Sequence, residues 1–286
     1  MTKLVFTTTG NWPAEEGFGC ASLGLAGKCD NKSQMSAQWP LELEGTVFTG
    51  RYSEVLRDIA VFSPRVNAAI ILFGNAGGEN QFMKSICEIL SCPMVGGGAA
   101  IDAESNRSAL ITGNGEVAVF LITDERFDFH AETQCIHDHI LGTCSLVLED
   151  PRTIISINGK DAVLFLKEIK EKHGIPVTDF EHLTLSDMHN INAHLSYVDG
   201  KIRSGRDLDE KMLLRYVSHA CVYERMRAFY DDPDAIIFGC AGLSGLLDKP
   251  LDTNSLGLFL FGEVCTVGQT AYFGNLMLSK LSIRRK

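Results

Sequence analysis

The sequence lacks the features that mark several common classes of protein. No apolar run reaches the about 18 residues that a membrane-spanning helix needs, and the apolar segment after Met1 is too short for a signal peptide. The nine cysteines include no C-x-x-C pair, so we expect reduced thiols rather than a disulfide framework. Acidic residues outnumber basic ones by 36 to 26, so the formal net charge is −10. We therefore expect a cytoplasmic protein that binds neither nucleic acid nor membranes.

What the sequence does contain is a repeated pattern of apolar runs that end at glycine. Residues 69–73 run into Gly74 and residues 235–238 run into Gly239, and both places carry the pattern Phe-Gly-x-Ala-Gly. Glycine tolerates positive φ and the close approach of other groups, so such strand ends are suited to building a pocket. The repetition predicts an α+β (mixed α/β) fold of two related halves whose mixed sheets pack together, divided near residue 150 into residues 1–150 and 151–286.

Hydrophobic periodicity predicts most of the secondary structure. Strands are expected at residues 42–49, 68–73, 95–101, 117–122, 127–148 and 153–157. Helices are expected at residues 53–62, 79–90, 161–172 and 207–230. The last helix is predicted from the capping-box arrangement of Asp207 and Glu210, followed by apolar residues at helical spacing. Asn114-Gly115 predicts a hairpin, and Gly96–Gly98 a glycine turn.

Four motifs in the chain, taken in order, resemble the FIST domain. They are Cys92–Gly98, Ile154–Ala162, Phe238–Gly242 and Gly257–Val264. The resemblance implies an intracellular sensory domain that binds small ligands, with amino acids proposed as ligands, and some bacterial members are associated with haem and nitric oxide sensing. Since no kinase, cyclase, methyl-accepting or F-box segment is recognisable, we expect a standalone sensor that signals through a separate downstream protein.

The predicted ligand site lies between the glycine-rich strand ends of the two halves. Glu263 and backbone amides of the triple glycine would orient a polar ligand, and three phenylalanines would line an apolar wall. An amino acid suits such a site because it carries both charges. No catalytic residue, metal or cofactor is expected. The candidate ligand-binding residues are Gly96, Gly97, Gly98, Phe238, Gly239, Cys240, Phe259, Phe261, Gly262 and Glu263.

The main alternative is a thiol-dependent enzyme in which Cys240 is the nucleophile and one of the eight histidines is the base. Such a thiol must be ionised by a nearby cation or base, which the sequence does not guarantee, so a small buried thiol is favoured. Glu263 has two interpretations as well, because a carboxylate after an apolar run is either solvated or bound to a partner. Gly96–Gly98 could cradle an anion, although close backbone packing is favoured.

A third interpretation is a haem-based nitric oxide sensor or another metal site. Cys135, His137 and His139 alternate in sequence, so a strand would place all three side chains on one face. Thiol and imidazole groups are ligands for zinc, copper and haem iron. Three polar residues on a solvated strand face are the simpler alternative, and a protein-interaction scaffold also remains open.

Overall fold

The computed structural model describes a defined part of the chain. The described residues are 2–5, 42–74, 77–98, 101–102, 107–108, 116–175, 182–244, 246–247, 256–260 and 262–286. The predicted hairpin turn at Asn114-Gly115 and the candidate residue Phe261 lie outside them. None of the helices in these ranges combines the length and apolar character needed to cross a membrane.

Helices and strands alternate irregularly along the chain, as expected for an α+β fold. The helices are α1 (Tyr52–Ala60), α2 (Glu79–Ile89), α3 (Ala162–His173), α4 (His219–Tyr230) and α5 (Ala241–Ser244). The first ten strands are β1 (Thr2–Val5), β2 (Glu42–Gly50), β3 (Ala68–Phe73), β4 (Met94–Gly98), β5 (Ile101–Asp102), β6 (Arg107–Ser108), β7 (Val117–Ile122), β8 (Phe127–Cys135), β9 (His139–Asp150) and β10 (Thr153–Ile157). The others are β11 (Lys160–Asp161), β12 (Leu183–Ser186), β13 (Asn192–Val198), β14 (Lys201–Ser204), β15 (Lys211–Tyr216), β16 (Ala235–Cys240), β17 (Leu256–Leu260), β18 (Glu263–Val267), β19 (Thr270–Gly274) and β20 (Met277–Arg285).

Two mixed sheets form the centre of the fold, and they share a four-stranded unit of the same topology. The first sheet has the order β1-β2-β7-β3-β4-β18-β19, and the second has the order β17-β16-β20-β8. Within them, β4-β3-β7-β2 and β17-β16-β20-β8 match in chain order and in strand direction, each with one parallel pair. The two four-stranded units are therefore alike in topology, although the second unit begins with β8, before residue 150.

The two sheets pack face to face, and helices cover their outer faces. Apolar side chains of the first sheet, including Ile70 and Phe120, meet Phe238 and Leu281 of the second. The outer face of the first sheet packs on α1 and α2, and that of the second packs on α4 and α5. The apolar runs in β3, β7 and β16 are continuous because both faces of these strands are buried.

A third sheet is inserted in the chain between β8 and α4. Its strands pair in the order β9-β10-β14-β13-β12-β15, and β15 pairs with β9 again, so we name it the closed sheet. Its apolar interior is covered by α3. Residue 150 ends β9 and does not separate the sheets, because the first sheet includes β18 and β19 and the second includes β8.

The predicted helix at residues 207–230 is wrong in its first half. Residues 211–216 form β15, which pairs with β9 and β12, and only His219–Tyr230 is helical. Met212 and Leu214 alternate into the interior of the closed sheet, so long-range pairing overrides the local helical pattern. Asp207 forms no capping box and instead pairs with Arg152, with 2.7 Å between Oδ1 and Nε.

Other local predictions are confirmed, with small changes at the boundaries. The helices at α1, α2 and α3 are present, and the Asp161 carboxylate caps α3 by accepting the amide of Leu164 at 3.0 Å. The strand predicted over residues 127–148 is interrupted at residues 136–138, which separate β8 from β9.

Candidate functional site

The triple glycine lies within a buried strand rather than in a turn. Gly96 has φ +135, and a Cβ there would lie 1.9 Å from the carbonyl oxygen of Ile71. β4 is flanked by β3 on one side and β18 on the other, and the Gly98 amide donates to the Gly262 carbonyl at 3.0 Å. The glycines therefore permit close strand packing, and the Gly98 amide is used in that packing. That the triple-glycine amides orient a ligand stays a prediction.

The same pairing brings together the two glycine-rich segments singled out in the sequence. Glu263 lies opposite Gly97 in the register of β18 and β4. The Glu263 carboxyl also contacts the thiol of Cys240, the last residue of β16. The carboxyl ends of β4 and β16, one from each half, therefore meet at the Glu263 side chain.

Glu263 is fully buried, and its carboxyl is only partly satisfied. Oε2 accepts the amide of Met277 at 3.1 Å, whereas Oε1 has no hydrogen-bond partner among the groups that the structure describes. No ion pair among the described residues includes this carboxyl. Burial raises the pKa of Glu263 well above its ordinary value, against the smaller lowering effects of the Met277 amide and the Cys240 thiol. These surroundings therefore favour the neutral carboxylic acid.

Cys240 is a buried thiol, 6% exposed. Burial and the neighbouring Glu263 carboxyl raise its pKa, although backbone amides of Leu276, Gly242 and Gly262 hydrogen-bond to the sulfur and oppose this shift. None of these interactions involves a histidine. The environment thus keeps the thiol protonated, which is the opposite of what a cysteine nucleophile needs.

The connection between β19 and β20 supplies several groups to this site, and we name residues 274–277 the site segment. Leu276 has φ 53, a left-handed conformation that costs a non-glycine residue about 1–2 kcal/mol. Its amide bonds the Cys240 sulfur, and the next amide, of Met277, bonds Glu263. The strained turn therefore aims two successive N–H groups at the thiol and the carboxyl.

Asn275 provides a second unsatisfied oxygen. The residue is 6% exposed, and its Oδ1 has no hydrogen-bond partner. A Cβ on Gly262, which has φ +93, would lie 2.8 Å from Asn275 Nδ2, and a Cβ on Gly205 would lie 2.6 Å from Oδ1. Two glycines thus leave room for this amide, and two unsatisfied oxygens occur in residues adjoining Gly262.

The closed sheet covers this region and is attached to it by polar contacts. Arg206 forms a buried ion pair with Asp187, with 2.8 Å between Nη2 and Oδ2, and its Nη1 donates to the Phe273 carbonyl at 3.4 Å. The Asn192 carbonyl accepts the amide of Asn275 at 2.9 Å. Sequence reasoning missed these residues, because their role depends on contacts between distant strands.

The other predicted ligand-binding residues lie in or near the same strands. Phe238 is part of the core between the first and second sheets rather than an exposed wall. Gly239 is paired on both sides, with Phe259 of β17 and Leu278 of β20. The side chain of Phe259 is not among the described groups.

The alternative metal set of Cys135, His137 and His139 does not lie on one strand. The three residues do not share a strand, because β8 ends at Cys135 and β9 begins at His139. His137 is buried, with Nδ1 3.4 Å from Asn192 Nδ2, whereas the exposed His139 ring lies 5.8 Å from that of Tyr216. The described residues contain no group of three or more side chains able to hold a metal ion.

No family model matches this chain, and no curated protein matches it significantly. The likeness to the FIST domain therefore depends on the sequence motifs.

Proposed function

We propose that the protein is a non-catalytic cytoplasmic sensor that binds a small molecule where the carboxyl ends of β4 and β16 meet. The observation that carries this proposal is the fully buried Glu263 carboxyl, whose Oε1 lacks a partner. The ligand is an amino acid or a related metabolite, and its ammonium group binds Glu263. A separate downstream protein receives the signal.

Energetics support a ligand at this position. A buried polar group without a partner costs about 1–3 kcal/mol, and native proteins retain few such groups. An ammonium group carries three N–H donors, enough to satisfy Glu263 Oε1 and further acceptors. Ligand sites of α/β folds commonly lie at the carboxyl ends of parallel strands, and both β4 and β16 belong to parallel pairs.

The alternative of a thiol-dependent enzyme has less support. Cys240 is buried, its pKa is raised, and its hydrogen bonds come from backbone amides rather than from a base. The haem alternative is weakened by the separation of His137 from His139, one buried and the other exposed. We therefore favour ligand binding over catalysis or haem sensing.

Thermal-shift screening of amino acids and small amines tests the proposal. A ligand at about 100 times its Kd should stabilise the folded protein by about 2.7 kcal/mol. Glu263→Gln keeps the side-chain size but cannot ionise when an ammonium group binds, so it should weaken binding by at least about ten-fold, or about 1.4 kcal/mol. The matched control is Glu132→Gln, which alters a half-exposed carboxylate paired with Lys280.

The proposal would be overturned by either of two results. A complete panel could produce no shift in the wild-type protein, or a ligand could produce the same shift in Glu263→Gln as in the wild type. Loss of the shift in both Glu263→Gln and Glu132→Gln would point to a general electrostatic effect and would equally contradict a specific contact at Glu263.

A further inference from the structure

Asn192 connects the closed sheet to residues 275 and 276 of the site segment. It is fully buried at the start of β13. Its Nδ2 donates to the Leu276 carbonyl at 3.2 Å, and its own carbonyl accepts the Asn275 amide at 2.9 Å. One side chain and one main-chain group of Asn192 therefore hold two successive residues of the site segment.

The orientation of the Asn192 amide is itself set by neighbouring groups. Ser186 Oγ donates to Oδ1, and Nδ2 lies 3.2 Å from the Cys135 sulfur. Since Oδ1 is occupied by the hydroxyl donor, Nδ2 faces the Leu276 carbonyl. Ser186 and Asn192 are paired residues of β12 and β13, so the closed sheet itself determines which way this amide points.

The site segment needs such support because its backbone is strained. A left-handed Leu276 persists only where the surroundings hold it, and its amide must point at Cys240 while the Met277 amide points at Glu263. If the Leu276 carbonyl lost its partner, this peptide unit could rotate away from the left-handed conformation. The N–H groups of Leu276 and Met277 would then no longer point at Cys240 and Glu263.

We infer that Asn192 is a positioning residue that holds residues 274–277 in the binding-competent conformation and couples the ligand site to the closed sheet. The inference rests on the proposed function for its biological meaning, because Glu263 is taken as the ligand contact. The geometric part stands without a ligand. A ligand that binds Glu263 alters the hydrogen bond between Glu263 and the Met277 amide. Asn192 transmits that change to β12 and β13.

Hydrogen exchange of the ligand-free protein, resolved to the amides of Leu276 and Met277, tests the geometric part. Asn192→Leu removes the amide group while keeping a similar volume. We expect exchange at these two positions to become at least about ten-fold faster, a change of about 1.4 kcal/mol. Ser186→Ala leaves the Nδ2 donor in place and should have a smaller effect in the same direction.

Leu195→Ala is the matched control, because Leu195 lies on the same strand but points into the core of the closed sheet. Exchange rates are compared at concentrations of urea where the variants have equal global stability. Equal acceleration at Leu276 and Met277 in Leu195→Ala and Asn192→Leu would overturn the inference, as would unchanged exchange in Asn192→Leu.

Coupling to the ligand is measured separately, with any amine or amino acid from the thermal-shift panel that stabilises the wild type. Asn192→Leu should bind it at least about ten-fold more weakly, while Leu195→Ala binds it with unchanged affinity. Unchanged affinity in Asn192→Leu would contradict the coupling. If no panel compound binds the wild type, the proposed function fails while the exchange result still decides the positioning role.

Discussion

At the scale of the residue, the unusual feature is a carboxyl that has been removed from water and has no counter-ion among the described residues. Among the described residues, the Glu263 carboxyl interacts with the amides of Met277 and Gly262 and with the Cys240 thiol, and Oε1 forms no well-aligned hydrogen bond. Its neutral form is favoured by burial, so the proton is part of the folded structure. This has a direct consequence for the pH dependence of stability.

The free energy of unfolding should fall as pH rises from about 4.3, the usual pKa of an unfolded glutamate, through the raised pKa of Glu263 in the folded state. In that window the folded state retains a proton that the unfolded state has lost, so stability decreases by up to about 1.4 kcal/mol per pH unit. Glu263→Gln should remove this contribution. Urea denaturation of both proteins between pH 5 and pH 8 measures it.

The expected result is a wild-type stability that declines relative to Glu263→Gln as pH increases. A constant difference between the two proteins across this range would mean that the carboxyl does not retain its proton on folding. Below pH 8 the Cys240 thiol adds little, because an ordinary cysteine is still largely protonated there in the unfolded chain.

At the scale of the element, β4 shows why glycine is needed in a strand that is buried on both faces. The close approach of β3 leaves no space for a side chain at Gly96, where a Cβ would meet Ile71 backbone atoms at 1.9 to 2.9 Å. Backbone atoms of a central strand cannot move aside as the end of a flexible side chain can. The glycine therefore determines how near β3 and β4 lie, and through β18 it determines where Glu263 sits.

Gly96→Ala should destabilise the protein by about 3 kcal/mol or more, because it combines overpacking with a φ of +135 that alanine rarely adopts. Gly142→Ala is a suitable control: Gly142 also has a positive φ, +155, but its Cβ would meet nothing within 4 Å. The midpoints of urea unfolding measure the difference. Equal losses in the two variants would show that the close approach of β3 is not limiting.

At the scale of the whole molecule, the closed sheet contacts α2, which packs on the first sheet, as well as the site segment. Arg152, between β9 and β10, reaches the buried carboxylate of Glu79 at the start of α2, with 3.1 Å between Nη2 and Oε2. The same guanidinium binds Asp207, which lies between β14 and β15 of the closed sheet. The arginine therefore bridges two parts of the protein that are distant in sequence.

Arg152→Met should cost about 1–3 kcal/mol, because it leaves the buried Glu79 carboxylate without its cation. Glu79→Gln in the same background should recover part of the loss, since the uncompensated charge is then absent. A double-mutant cycle measures the coupling. Additive effects of the two substitutions would show that the contact does not stabilise the attachment of the closed sheet. The exposed pair of Lys201 and Glu149 is the control, with a coupling below about 1 kcal/mol.

The candidate site was predictable only in part. The motifs around Cys240 and Glu263 were recognisable because glycine follows a continuous apolar run, and the structure brings these two residues into contact. Asn192 and Leu276 carry no such signal, since a buried asparagine and a strained leucine look ordinary in sequence.

The first half of the helix predicted over residues 207–230 is wrong for a related reason. β15 is stabilised by β9 and β12, which are remote in the chain.

The sequence by itself determined which segments are buried on both faces and where glycine ends them, because apolar runs and glycine conformations are local properties. Only the tertiary structure decided that β18 of the second half pairs with β4 of the first, that an inserted closed sheet covers the junction, and that no cation of the described part of the chain pairs with Glu263. Pairing between distant strands depends on the fit of whole surfaces. No single stretch of the chain contains that information.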